Sequence, residues 1–297
     1  MQLFQVTDVR GRLHPGVIRG EHAHIVLPDR TDVRSTLDLL RRVEDDGLNL
    51  TQWLDEVIGQ GATTTVPWSA LEQTGQANGW RLAIPIVPPE VWGCGVTYRR
   101  SADFREEGLG IYDRIYEAER PELFYKASPS RSVGPHGPIG RRRDSKFTAA
   151  EPEVALVVSR KGAILGYTLA NDVSAWDIER DNPLYLPQSK IYDGCFSCGP
   201  TIVLPEAIAD PHAIEVTCTI ERDGREIFRG SASTSALKRR FPELVDWLRR
   251  SNSVPTGTVL STGTGIIQPI EIGLEPGDVV TISAPDLGSL RNTVVLV

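Results

Sequence analysis

Cysteine is scarce in this sequence, with four residues in 297. Four cannot build a disulfide framework in a chain of this size, and they point to a reducing, cytoplasmic setting. No apolar run reaches membrane-spanning length. The start, Met1-Gln2-Leu3-Phe4-Gln5, has no basic cluster and no small-residue cleavage pattern, so no signal peptide is expected. There is no internal repeat, heptad run or low-complexity tract. Positive charge is in deficit, at 32 Lys and Arg against 39 Asp and Glu, for a net charge of −7. That balance argues against nucleic acid or an anionic membrane as a partner. Histidine is sparse too, and none lies between His24 and His136.

What remains is an ordinary soluble composition, 40% hydrophobic and 24% charged. A chain of this length suits one large domain or two unequal ones. Its 27 glycines and 21 prolines imply many turns and a β-rich fold. Residues 1–85 read as a small leading module. Leu3 to Val6, Val17 to Ile18 and His24 to Leu27 read as strands. Ser35 to Glu44 and Leu50 to Ile58 have helical spacing, with Leu37, Leu39, Leu40 and Val43 on the buried stripe and Ser35 or Thr36 as N-cap. His22 and His24 share a strand face without a third metal ligand nearby.

Ile84-Pro85-Ile86-Val87-Pro88-Pro89 is a proline-marked joint, and the main domain is expected to run from residue 86 to 297. Val91 to Val96 reads as a strand whose glycines, Gly93 and Gly95, imply close backbone approach to a turn or a ligand. Ser101 through Ala118 reads as a helix, either a cover over a site or an amphipathic surface element. Arg120 to Lys126 reads as a strand with Glu122, Phe124 and Lys126 on one face. Glu122 is a candidate site residue, and Lys126 is expected to pair with it. Arg141-Arg142-Arg143 is expected in a solvated loop or a subunit contact.

The chemistry concentrates at Glu151-Pro152-Glu153, Asn171-Asp172 and Lys190. Carboxylates at i and i+2 of a strand share a face. Val154 to Val158 continues as a strand, and Arg160-Lys161-Gly162-Ala163 reads as a hairpin turn with Lys161 and Gly162 as its two loop residues. Counting outward, Glu151 then faces Asp172, so three carboxylates share one patch. A loop one residue longer would move Asp172 to the other face. Bare carboxylates this close repel, and a hard divalent cation removes that penalty. The alternative is a solvated acidic face. Lys190, in a Pro/Gln/Ser loop, is a candidate base or carboxylate partner, or else a surface lysine. Cys195 and Cys198 form a CxxC that reads as buried thiols, because a strand follows Gly199-Pro200.

Further on, Ile214 to Arg222 and Glu226 to Gly230 form a hairpin around Asp223-Gly224, and Phe241 to Arg250 is an amphipathic helix. Ser261-Thr262-Gly263-Thr264-Gly265 is a hydroxyl- and glycine-rich loop suited to an anion. Gly273 to Asp278 is a turn before the strands Val279 to Ser283 and Thr293 to Val297.

Taken in order, Glu151-Pro152-Glu153, Asn171-Asp172, Lys190 before Gly199-Pro200, the Ser261–Gly265 loop and the Gly273–Asp278 turn resemble the fumarylacetoacetate hydrolase superfamily from about residue 86 onward. Pro88 to Gly93, Arg120 to Lys126 and Asn182 to Tyr192 resemble its branch of sugar-acid dehydratases. The resemblance implies an α+β, β-rich fold: a mixed β-roll or sandwich catalytic domain behind a small N-terminal α/β module. It implies Mg²⁺, with Mn²⁺ or Ca²⁺ as substitutes, held by Glu151, Glu153 and Asp172. Lys190 and Glu122 become the expected catalytic residues, and Thr264, Lys190 and Tyr98 the substrate-binding ones. A homodimer or homotetramer is implied.

The activity implied is dehydration of a 2-keto-3-deoxy sugar acid, for a pentonate such as the arabinonate giving 2-oxoglutarate semialdehyde and water. Lys190 would serve as base or oxyanion stabiliser, Glu122 would protonate the leaving C4 hydroxyl, and Thr264 would hold the carboxylate. The superfamily's C–C hydrolases often place a water-activating His after an Asn-Tyr pair. Here the segment reads Thr97-Tyr98-Arg99-Arg100-Ser101, with Ser101 in the histidine's place, which favours elimination. The alternatives are a hydrolase of acylpyruvates or other 2,4-diketo acids, a decarboxylase, and a metal-binding protein without catalysis.

Overall fold

The protein is described from a computed structural model over residues 1–99 and 111–297. Ser101 and the first part of the expected 101–118 helix lie outside the described residues. A helix, Ile111–Glu117, follows them.

Ten strands form the path of the larger sheet: β1 (Gln2–Thr7), β2 (Leu13–Arg19), β3 (His22–Val26), β4 (Thr63–Pro67), β5 (Val91–Gly95), β6 (Glu122–Ala127), β8 (Pro152–Val158), β9 (Ile164–Asp172), β10 (Phe196–Val203) and β13 (Thr258–Ser261). Their order is β4-β3-β2-β1-β10-β9-β8-β13-β5-β6. The smaller sheet contains β7 (Pro138–Arg141), β11 (Glu215–Arg222), β12 (Arg225–Ser233), β14 (Val279–Ala284) and β15 (Gly288–Leu296), in the order β7-β15-β14-β11-β12. Most pairs are antiparallel, while β13 with β5 and β7 with β15 run parallel. The sheets are therefore mixed, in line with the expected β-rich α+β class.

Residues 152–158 are buried on both faces, which explains the unbroken apolar run after Glu153. Val154, Leu156 and Val158 face the smaller sheet, joining Val216, Ile220, Val280, Ile282 and Leu290 with Phe241 and Leu244 of the helix Phe241–Arg249. Ala155 and Val157 face the other way, into a cluster with Leu39 and Leu40 of α1 (Thr36–Asp45) and Leu54 of α2 (Leu50–Gly59). Ser35 caps α1, its hydroxyl accepting the Asp38 N–H at 3.1 Å. Leu39 and Leu40 are buried as the spacing implies, whereas Leu37 and Val43 are only half-buried.

The proline joint at 84–89 lies between the short strand Trp80–Leu82 and β5, and the sheet is continuous across it. Gln2 and Leu3 of β1 pair with Val203 and Ile202 of β10.

The β8–β9 hairpin differs from the expected one at its tip. Ser159 N–H donates to Ala163 O at 2.9 Å, so the loop holds three residues, Arg160 to Gly162. That would move Asp172 to the wrong face, but Leu165 is an extra residue that restores the register. Val158 pairs with Ile164, and Val157 then pairs with Gly166. Pro152 opposite Asn171 follows, as the shorter loop would have had it.

Candidate active site

The three carboxylates converge at the open end of this hairpin. Asp172 N–H donates to Glu151 O at 3.0 Å, and Asn171 Oδ1 accepts the Glu151 N–H at 3.1 Å, which holds the strand entry beside the strand exit. Glu153 continues the parity of Ala155 and Val157, and Asp172 that of Ala170, so both emerge where the α1/α2 side of the sheet stops being apolar. One oxygen from each of Glu151, Glu153 and Asp172 lies within 4.8 Å of the others, and all three side chains are buried.

Each carboxylate has its own support. Glu151 receives the Trp176 indole N–H. Glu153 Oε2 accepts the Ser261 hydroxyl at 2.5 Å and the Gly263 N–H at 2.6 Å. The anion served by the hydroxyl-rich loop is thus the protein's own Glu153. Gly263 sits at φ +94°, and a Cβ there would meet Thr97 Oγ1 at 1.9 Å, so glycine is required where the loop delivers its N–H. Thr264, the expected substrate ligand, is buried within this loop. Its hydroxyl accepts the Ile266 N–H at 3.1 Å and donates to Ile266 O at 3.3 Å.

Two lysines compensate the charge. Lys190 is buried at the C-terminal end of a short helix, Leu186–Lys190, rather than in a surface loop. Its Nζ reaches both Glu151 oxygens at 3.1 Å, Asp172 Oδ2 at 3.3 Å and Ser174 Oγ at 2.6 Å. The Phe124 ring lies 5.2 Å below it. Lys126, expected to pair with Glu122, instead turns inward. It is fully buried and donates to Asp172 Oδ1 at 2.6 Å. The expectation failed because strand parity gives a side chain's face but not a partner on an element 46 positions away.

Gly93 and Gly95 do mark close approach, by side chains of the adjacent β6. A Cβ on Gly93 would meet the Phe124 ring at 2.4 Å, and one on Gly95 would meet Glu122 Oε2 at 1.9 Å. Glu122 is half-buried and lies on the carboxylate side of the sheet. Its charge, with those of Glu153 and Asp172, reinforces the effect of burial in raising the Cys94 thiol well above its usual pKa. Tyr98 is buried against Gly265, and burial together with the Glu153 and Glu215 charges raises its phenol.

Burial, then the Asp172 and Glu151 charges, push Glu153 up to about 8, against the opposing pull of Ser261 and Gly263. Glu179 lies 4.0 Å from Lys190 Nζ. Four buried carboxylates, Glu151, Glu153, Asp172 and Glu179, therefore face two buried ammoniums, Lys126 and Lys190. The formal excess of two negative charges, presented by oxygen donors only, fits a hard divalent cation such as Mg²⁺. Among the described residues, no other group of His, Cys, Asp and Glu is arranged to hold a metal. The CxxC thiols, Cys195 and Cys198, are free and buried.

Residues 90–295 match the family model described as fumarylacetoacetate (FAA) hydrolase, C-terminal. The chain belongs to the fumarylacetoacetate hydrolase family. Among relatives, it is 43% identical over 242 residues to 2-dehydro-3-deoxy-D-arabinonate dehydratase of Saccharolobus solfataricus, covering 79% of this chain and 81% of the relative. It is 45% identical over 217 residues to a probable 2-keto-3-deoxyxylonate dehydratase of Haloferax volcanii, covering 72% and 75%. The fold matches a structure of 2-keto-3-deoxy-D-arabinonate dehydratase complexed with magnesium and 2,5-dioxopentanoate, at a TM-score of 0.87 and 37% identity, over 100% of this chain and 99% of that one. Residues before the family match thus share an arrangement seen in a dehydratase as well.

The sequence reading missed Lys126, Ser261, Gly263, Trp176 and Ser174 as supports of the cluster. Ser261 alone left a usable signal, since it shares the parity of buried Val259 and so faces the same side as Glu153.

Proposed function

We propose that this chain is a Mg²⁺-dependent hydro-lyase that dehydrates a 2-keto-3-deoxy sugar acid. A pentonate such as the arabinonate would give 2-oxoglutarate semialdehyde and water. One observation carries the reading. The buried Glu151–Glu153–Asp172 cluster with Lys190 stands in a chain that matches, over its full length, a dehydratase holding magnesium and 2,5-dioxopentanoate. That dioxo acid is 2-oxoglutarate semialdehyde by another name.

Glu151, Glu153 and Asp172 are the ligands in this reading. Bound there, Mg²⁺ supplies Lewis-acid polarisation at the carboxylate and keto end of the substrate. Lys190 Nζ takes the C3 proton or steadies the charge that appears on the C2 oxygen. Its four oxygen neighbours receive an ammonium in the metal-free site; a divalent cation shared with those carboxylates would take over their charge and leave Nζ to accept the C3 proton. Glu122 delivers a proton to the departing C4 hydroxyl, which leaves as water. The remaining unsaturated acid tautomerises: C5 gives up one C–H hydrogen and its hydroxyl hydrogen, C3 and C4 each gain one, and the semialdehyde results. Thr264, within the Gly263–Gly265 loop, and Tyr98, buried against Gly265, shape the substrate pocket and exclude water from it.

The oxygen-only donor set also accepts Mn²⁺ or Ca²⁺. Residues 1–85 act as a leading module and 86–297 as the catalytic part, and the working unit is a homodimer or homotetramer in the cytoplasm. Four free, buried thiols agree with a reducing compartment. Among the described residues, no helix is long and apolar enough to cross a membrane.

The test is a coupled assay with Mg²⁺, with and without EDTA, on 2-keto-3-deoxy-pentonates of both configurations, a 2-keto-3-deoxy-hexonate and acetylpyruvate. EDTA-sensitive semialdehyde formation from a pentonate is expected. Pyruvate and acetate from acetylpyruvate, with no dehydration, would overturn the reading in favour of C–C hydrolysis.

A further inference from the structure

Lys126 has no role in the reaction as drawn, yet it is among the largest fully buried side chains. Its Nζ donates to Asp172 Oδ1 at 2.6 Å, Val173 O at 2.8 Å and Lys190 O at 2.7 Å. An ammonium has three N–H donors, and all three are used. None is left for a substrate, so Lys126 does not belong to the reacting groups.

Its partners explain what it does. Asp172 is the last residue of β9, and Val173 begins the departure from the sheet. Lys190 ends its helix, so its carbonyl has no intrahelical N–H to accept. Lys126 joins these two segments from β6, a third element. It occupies Asp172 Oδ1, which leaves Oδ2 on the side where Lys190 Nζ lies at 3.3 Å. The Tyr192 ring, 5.8 Å from the ammonium, closes the side away from the cluster, and its hydroxyl donates to the same Val173 carbonyl at 2.9 Å.

We propose that Lys126 is a positioning residue, which fixes Asp172 as a one-oxygen metal ligand and pins the backbone of Lys190 to it. The proposal rests on reading Glu151, Glu153 and Asp172 as a divalent-cation site. Two effects of Lys126 oppose each other. Its positive charge beside the cluster repels a second cation, so charge alone predicts tighter Mg²⁺ binding once it is removed. Its hydrogen bonds orient Asp172, so positioning predicts weaker binding. Partners that orient a ligand are typically worth about 10–100-fold in metal affinity. The sign of the change separates the two effects.

The experiment is calorimetric titration of Mg²⁺ into the full chain and its Lys126→Met variant, with Mn²⁺ electron paramagnetic resonance as a readout of the site's shape. Expected is a rise in the Mg²⁺ Kd of about 10-fold or more, an altered Mn²⁺ spectrum, and a kcat that falls further than KM moves. An unchanged or lower Kd would overturn the proposal. Lys126→Gln, which keeps two donors without the charge, is expected to recover part of the lost affinity, and a Kd no better than that of Lys126→Met would count against positioning. Should both variants fail to fold, the wild type decides through lysine-labelled ¹⁵N spectra. A saturated ammonium keeps a slowly exchanging signal with and without Mg²⁺, and its disappearance on loading would sink the idea. Metal affinity is read without turnover, so it tests Lys126 even where no keto-deoxy acid is dehydrated. A wild type that binds no Mg²⁺ would instead remove the underlying reading.

Discussion

Glu151 stands opposite Asp172 because Leu165 is displaced from the hairpin between them. The three-residue loop at Arg160–Gly162 and the extra residue at Leu165 cancel, and the two carboxylates return to one face. Inserting one glycine between Leu169 and Ala170, on the stretch from the bulge to Asp172, would turn Asp172 away. The variant is expected to lose Mg²⁺ binding at millimolar concentrations while keeping its strand content. Deleting Leu165 leaves Val157 opposite Gly166 and is expected to leave the Mg²⁺ Kd within about 3-fold of wild type, at some loss of stability from its half-buried side chain. Titration calorimetry on both variants checks the pair.

The pH dependence of stability follows from Glu153. Its carboxyl titrates near 8 in the folded metal-free protein, against about 4.5 in the unfolded chain. Between those values the native state holds a proton that the unfolded state has released, so stability falls as pH rises. Metal-free protein is therefore expected to melt at lower temperature at pH 8 than at pH 5.5. Mg²⁺ should raise the midpoint more at pH 8, since ligation favours the ionised carboxylate. Thermal scans with EDTA and with Mg²⁺ measure this. A midpoint rising with pH under EDTA would contradict the site electrostatics.

Glu122 and Lys190 should separate kinetically. Removing a general acid typically lowers kcat by about 10²–10⁴-fold. Glu122→Gln is expected to fall in that range with the Mg²⁺ Kd little changed, because Glu122 is not one of the three clustered ligands. Lys190→Met should change both, since Nζ touches Glu151 and Asp172. Full activity in Glu122→Gln would remove its acid role.

The thiols should be silent. All four cysteines are buried, and burial raises Cys198 and Cys218 to about 12 and Cys94 well above its usual value. An aromatic disulfide reagent at pH 8 is expected to label none of them in the native protein and all four after denaturation. Rapid native labelling of Cys94 would mean that the β5 strand opens near the site.

Arg222 offers a control remote from the chemistry. It grips buried Asp278 through two bonds of 2.8 Å and also donates to Gly273 O, which closes the 273–278 turn. Arg222→Met takes the guanidinium from that carboxylate and leaves it the Glu275 N–H at 2.8 Å. A cost of about 2 kcal/mol is expected, reduced from the fully buried case because the guanidinium side is partly exposed. Urea denaturation gives the loss, and the Mg²⁺ Kd should not move.

The carboxylate trio was readable in the sequence because it is nearly local. Glu151 and Glu153 are two positions apart, and Asp172 comes back across a single hairpin. The pairing survived an error in the loop only because the Leu165 bulge compensated, and hydrophobic pattern does not announce a bulge. Lys190 was visible as a candidate, but its burial was not, since the helix that carries it is five residues long. Lys126 was misassigned for a different reason. Glu122 shares its face, whereas its actual partner, Asp172, is on β9, with β8, β13 and β5 between them in the sheet. The hydroxyl-rich loop was correctly read as an anion receptor in type, but spacing could not say that Glu153 would be the anion.

The pairing of β1 with β10 has a consequence during synthesis. Gln2 leaves the ribosome long before Val203 exists, and the two must then sit side by side. At roughly 5–20 residues per second, the opening strand waits about 10–40 s for the edge it belongs to. Through that interval the nascent chain carries an uncovered strand border, the kind of surface that chaperones hold and neighbouring chains capture. Yield of soluble protein should thus respond to translation speed and chaperone supply more than the finished molecule's packing would suggest.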